Sequence, residues 1–201
     1  MDVMLIWFIE NVRWLVAAEL LLFQGFFLAA GILASIRTGK PVRGKNREAN
    51  IAIILFVLTF AVVLVTLFAP RPPFWFYIME PPGPGYTLAG LFLLYASLVL
   101  GVYSSFYMGK SWRVGIVQGQ KTELVQTGIF RYLRNPYFQS YYMKFLGLLL
   151  ISPGGLLIAL VLLSSFSIYR MVLAEEKYLL ELHGEPYRLY MKSSYRFIPP
   201  F

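Results

Sequence analysis

Long apolar runs separated by polar loops dominate the chain. A helix needs roughly 20 apolar residues to cross a hydrocarbon core about 30 Å thick. Residues 14–36 meet that requirement, with Glu19 near one end. Residues 1–13 either extend this helix or lie at the interface, a level that suits Trp7 and Trp14. Residues 49–69, rich in Ile, Leu, Val and Phe, predict a second span, and residues 87–108 a third. The next apolar stretch, 137–169, is broken by Ser-Pro-Gly-Gly at 152–155. Proline interrupts a helix and paired glycines supply turn conformations, so two helices are predicted, 137–151 and 155–173, folded as a hairpin. The first of the pair is short for a full span.

Beyond the hairpin, Glu175, Glu176, Glu181 and Glu185 mix with Lys177, Arg188, Lys192 and Arg196. This pattern predicts a separate surface helix over 174–192 and a short extended end at Ile198-Pro199-Pro200. No repeat or low-complexity tract is present. The predicted fold is an all-α integral membrane protein. It has about five transmembrane helices, the last two a hairpin, and a cytoplasmic C-terminal helix. Residues 1–201 form a single membrane domain, in which residues 1–108 supply the N-terminal transmembrane helices.

Charge then sets an expected orientation. The loop at 37–48 holds Arg37, Lys40, Arg43, Lys45 and Arg47 against Glu48. The proline- and glycine-rich loop at 70–86 has only Arg71 and Glu80, with Phe74, Trp75, Phe76 and Tyr77 suited to the headgroup level. The positive-inside rule puts 37–48 in the cytoplasm and the N-terminus outside. Lys110, Arg113, Lys121, Arg131 and Arg134 then fall on the cytoplasmic side as well, and so does the tail. Asp2 and Glu10 are at odds with the basic start of a cleaved signal peptide.

Composition narrows the chemistry. The chain is 58% hydrophobic and only 14% charged, with a formal charge of +8. In a membrane protein that excess belongs to cytoplasmic loops facing anionic lipid, and no basic-aromatic module points to nucleic acid. The absence of cysteine excludes disulfides, thiolate metal sites and a cysteine nucleophile. Asp2 is the only aspartate and His183 the only histidine, which removes clustered-histidine metal sites and a Ser-His-Asp triad. His183 is read as a surface or packing residue. No nucleotide-binding glycine motif is present, and no strand–helix alternation supports a Rossmann-type domain. Glu19 and Lys144 lie in or near apolar helices, where charges are functional candidates unless they snorkel to an interface.

Two segments hold the remaining candidate chemistry. Residues 124–138 read LVQTGIFRYLRNPYF, in which Gly128 permits a tight turn and Pro136 can open the next helix. By composition this is a basic, aromatic membrane-entry loop. Glu175 and Glu176 follow the last apolar run; they suit a solvated helix start or a cationic ligand group.

The order T-G-I-F-R-Y-L-R-N-P-Y-F, an apolar hairpin with a central proline, E-E-x-x-L-L-x-x-H-G-E-P-Y-x-x-Y and a closing I-P-P-F resembles the isoprenylcysteine carboxyl methyltransferase family and its phospholipid-methylating relatives. Gly-Lys-Ser-Trp-Arg at 109–113 is similar to that family's G-x-x-W segment. The resemblance covers residues 109–201 and implies that they form a methyltransferase-like, cofactor-binding core. It implies an S-adenosylmethionine site at the cytoplasmic face, formed by Leu124, Val125, Phe130, Asn135, Pro136, Tyr137, Phe138, Glu175 and Glu176.

Asn135 replaces the family's histidine, and Phe130 and Phe138 replace tyrosines. The family's substrate-side arginine falls at Met171 by count, which makes the adjacent Arg170 the expected substitute. Arg170 and Arg134 are thus the expected catalytic residues. No metal is implied. The acceptor is expected to be lipophilic or lipid-like, such as a prenylcysteine carboxylate or a phospholipid amine, reaching the site from the bilayer. Two other readings compete: an NADPH-dependent sterol-type reductase, and a non-enzymatic helical bundle.

Overall fold

The computed structural model describes residues 3–39, 47–69, 83–109 and 123–198. Most of the basic and proline-rich loops, Lys110 to Arg113 of the tryptophan segment and the closing prolines lie outside the described residues. The described chain is helical: α1 (Val3–Thr38), α2 (Arg47–Phe68), α3 (Pro84–Met108), α4 (Pro136–Ile151), α5 (Gly155–His183) and α6 (Glu185–Ser193), with one 3-10 turn at Gly128–Arg131. No strand is present among the described residues; a single parallel bridge joins Leu133 to Tyr195.

Four helices, α1, α2, α3 and α5, are long and apolar enough to cross a membrane. Leu21, Phe92, Phe106, Leu162 and Phe166 stand exposed on their outer faces, as expected of surfaces that lie against lipid. The expected fifth span, α4, has 16 residues. It rises about 24 Å, short of the hydrocarbon thickness.

One predicted boundary moves. The expected surface helix over 174–192 does not begin at 174, because α5 runs unbroken through Glu175 and Glu176 to His183. A rise in charge does not end a helix; a backbone conformation does. Gly184, at φ 62°, supplies the positive-φ residue that ends α5 and starts α6, a conformation open to glycine. With 29 residues α5 is about 43 Å long, so its last turns extend past an apolar core.

The hairpin helices lean on different neighbours. α4 packs mainly along α3, and α5 mainly along α2. At the α3–α4 crossing, a Cβ added to Gly90 would lie 2.7 Å from the Gly147 carbonyl oxygen, and one added to Gly147 would lie 2.8 Å from that of Gly90. Only glycine allows the two backbones to approach so closely.

Glu19 and Lys144 do not snorkel. Lys144 Nζ donates to Glu19 Oε1 at 2.5 Å with both side chains wholly buried, and it also lies 3.7 Å from the centroid of the Phe23 ring. This pair ties α1 to α4. Tyr95 adds a second link, its hydroxyl donating to the Leu15 carbonyl at 3.1 Å and joining α3 to α1.

Candidate functional site

The end of the bundle where α3 and α5 finish and α4 begins carries a cleft of about 710 Å3, open mouth included. The sequence makes this shape locally. Gly128, at φ 60°, starts a 3-10 turn where a side chain would collide with the Tyr107 ring. The turn buries Phe130. Asn135 then adopts a non-helical conformation, and Pro136 opens α4 with its φ already set.

The C-terminal segment closes the other side. Arg134 N donates to the Tyr195 carbonyl and Tyr195 N to the Tyr132 carbonyl, both at 2.8 Å. Gln139 holds Ile198 at both its backbone groups, each at 3.0 Å. Tyr190 donates its hydroxyl to the Phe130 carbonyl at 2.5 Å, and burial pushes this phenol up to about 12. Phe197 is fully buried, edge-on to Tyr142.

Eight of the nine residues expected to contact a cofactor line this cleft: Leu124, Val125, Phe130, Asn135, Pro136, Tyr137, Phe138 and Glu175. The ninth, Glu176, faces away from it into a charged cluster. Its Oε1 accepts from Arg134 Nε at 3.1 Å and from Asn135 Nδ2 at 3.0 Å. Its Oε2 accepts from Arg196 Nε at 2.9 Å and lies 2.7 Å from Arg196 Nη2. Hydrogen bonding to Glu176 raises Arg196 further above its already high value.

Arg134 lines the cleft, but its Nη1 donates to the carbonyls of Met191 (3.0 Å) and Ser194 while its Nε serves Glu176. This arginine clamps α4's start, α5 and the tail together. Asn135 acts in the same clamp, also reaching the Arg196 carbonyl at 3.4 Å. Arg170 is exposed on α5 and lines neither this cleft nor the cavity beside it. Arg131 is also exposed, its guanidinium 5.8 Å from the centroid of the Tyr132 ring.

A second cavity, of about 1490 Å3 with its opening included, lies deeper, between α1, α2, α4 and α5. It occupies the space left where α4 and α5 lean apart. Phe27, Ala52, Phe56, Tyr141, Phe145 and Met171 are among its walls, and none of its described lining residues is charged. Tyr137 and Phe138 line both cavities. They form a two-ring partition between a cleft that carries Glu123, Arg134 and Glu175 and a chamber without charged lining residues.

The described part of this architecture, from α3 to the start of α6, coincides with a region of known kinship. The phospholipid methyltransferase family model matches residues 86–186. The chain belongs to the phospholipid methyltransferase family. A search of curated proteins finds no match. Family membership supports a membrane methyltransferase and covers Met108, the 124–138 segment and Glu175, which together make most of the cleft.

Sequence reasoning missed several members of the site. Tyr187 and Tyr190 line the cleft from α6, and the quoted Y-x-x-Y was their only signal. Leu179 was signalled only by the quoted E-E-x-x-L-L, and Glu123 had no signal. Arg196 became visible only once the tail folded back on Glu176, twenty residues away. Among the described residues no group of acidic or histidine side chains could hold a metal.

Proposed function

We propose that the chain transfers a methyl group from S-adenosylmethionine to a lipophilic or lipid-like acceptor, with the cleft facing the cytoplasm. One observation carries the reading: the cleft and the chamber meet at Tyr137 and Phe138, so a polar donor and an apolar acceptor can approach the same point from two solvents.

The residues of the cleft fit the donor. S-adenosylmethionine supplies an electrophilic methyl on a cationic sulfur. Glu175 holds its amino group by a charge-assisted hydrogen bond. Leu124, Val125 and Phe130 provide an apolar wall for a purine, and the faces of Tyr137 and Phe138 favour the positive sulfur. Asn135 and Pro136 hold that wall in place. Glu123 and Glu175 would repel the phosphates of NADPH, which tells against the reductase alternative.

The chamber holds the acceptor's apolar body and leaves its nucleophile at the partition. Methyl transfer breaks the sulfur–methyl bond, forms a methyl–nucleophile bond and leaves a neutral thioether; the proton of an amine or hydroxyl acceptor passes to water through the cleft mouth. Such a displacement needs alignment and a dry nucleophile more than acid–base help. Arg134 and Glu176 are positioning residues here, because they fix the start of α4 and hence the partition. Arg170 lines neither cavity and is given no part in the proposed step. The basic loop at 37–48 supports the cytoplasmic placement of the cleft.

Calorimetry on the purified, detergent-solubilised protein tests the donor. S-adenosylmethionine binds, Glu175→Ala abolishes binding, and NADPH gives no heat. Binding of NADPH in place of S-adenosylmethionine overturns the proposal.

A further inference from the structure

The outer face of α5 carries a charge inside its apolar band. Leu162 and Phe166 stand exposed there, and Leu173 continues the same face. Arg170 is exposed between Phe166 and Leu173. Steps of four and three residues place these side chains on one stripe of the helix. Among the described residues, the Arg170 guanidinium has no hydrogen-bond or ion-pair partner.

Its depth follows from the packing of the hairpin. Tyr142 donates to the Ser165 carbonyl at 3.1 Å, so these two residues share a level. Six residues on, Met171 of α5 is level with Pro136, where α4 begins. Arg170 therefore stands at the level of the partition, on the face away from Ile168, which lines the chamber. The uncharged run of α5 from Gly155 to Tyr169 rises about 22 Å, less than a hydrocarbon layer of about 30 Å. A lipid-facing charge at this depth is costly until its side chain reaches a counter-charge, and the nearest in a bilayer is the phosphate layer.

The neighbours of Arg170 suit a phosphate as well. Tyr169 is exposed beside it, and Arg196 Nη1 donates to the Tyr169 hydroxyl oxygen at 3.5 Å. Glu176 takes the Nε and Nη2 of Arg196. Lys177 is exposed two turns beyond Arg170, about 10 Å along the stripe, where the outer part of a headgroup would lie. Glu181 is exposed about 16 Å from Arg170, past that level.

We propose that Arg170, with the Tyr169 hydroxyl and Arg196 beside it, binds the phosphate of an anionic phospholipid in the leaflet on the cleft side. This lipid is distinct from the methyl acceptor, and the inference does not depend on which acceptor is used. The planar fork of Arg170 matches two phosphate oxygens. The Lys177 ammonium repels a choline or ethanolamine headgroup and accepts a glycerol one, so net negative lipid is preferred. Through Arg196 and Glu176 the bound phosphate joins the clamp that fixes the start of α4, and so stabilises the end of the bundle that carries the cleft.

Native mass spectrometry and thermal melts of the detergent-solubilised full chain test it, with dioleoylphosphatidylglycerol and dioleoylphosphatidylcholine as probes. Wild type is expected to bind the phosphatidylglycerol about five-fold more tightly and to gain Tm with it. Arg170→Gln is expected to lose both the preference and the gain, and Arg170→Lys, which keeps the charge without the fork, to fall between. Arg188→Gln removes the same charge from an exposed position on α6 and is expected to behave as wild type. No preference in wild type, or a preference that survives in Arg170→Gln, overturns the proposal. Equal loss in Arg170→Gln and Arg188→Gln overturns it too, since net charge alone then accounts for the binding. Selective binding without a gain in Tm overturns the link to the clamp.

Discussion

Glu175 and Glu176 are neighbours on α5 with opposite surroundings: Glu175 lines the cleft, while Glu176 is held by Arg134, Asn135 and Arg196. The two carboxylates should therefore fail differently. Glu176→Ala leaves Arg134 without its buried counter-charge and should cost about 3 kcal/mol or more, seen as a lower Tm and faster proteolysis of the tail. Glu175→Ala should lower the Tm far less and lose cofactor binding. The same thermal loss in both variants would refute this division of roles.

The pair of Glu19 and Lys144 is buried on all sides, so each charge depends on the other. Lys144→Met or Glu19→Leu alone should destabilise by about 3–5 kcal/mol, and the double variant should recover most of the loss. Thermal melts in detergent arranged as a double-mutant cycle read the coupling. Simple additivity would show that the pair does not hold α1 to α4.

The α3–α4 contact predicts a contrast among glycines. Gly90→Ala and Gly147→Ala each push a methyl group against a carbonyl and should cost about 1–3 kcal/mol or more. Gly25→Ala, with nothing within 4 Å, should stabilise α1 by about 0.5–1 kcal/mol. Tm shifts of equal sign at all three positions would contradict the packing described.

The course of the spanning helices was legible because hydropathy reports the solvent of each segment directly. The hairpin break was legible because Pro153 cannot continue α4. The end of α5 is not legible from charge: Glu175, Glu176 and Lys177 suggest a boundary, whereas the break depends on the conformation of Gly184. Most of the cleft lining lies within one short stretch, 124–138, so local order was enough to find it. Its clamp was not legible, since Glu176 and Arg196 meet only through the folding back of the tail. The chamber was hidden for a different reason. It exists because α4 and α5 favour different neighbours, and no local pattern records that.

Filling the chamber should separate acceptor from donor. Ala52→Phe places a ring in the space between α2 and α4. The acceptor KM should rise at least ten-fold while the affinity for S-adenosylmethionine stays unchanged. Loss of both would mean that the two cavities are not independent.

The central claim is that a methyl group passes from the cleft to a lipid. The direct measurement is the transfer of label from methyl-labelled S-adenosylmethionine in proteoliposomes of mixed membrane lipids, followed by extraction into organic solvent. The account predicts label in the lipid phase that depends on the protein and is lost in Glu175→Ala. Label that remains entirely in the aqueous phase, with cofactor demonstrably bound, would contradict it.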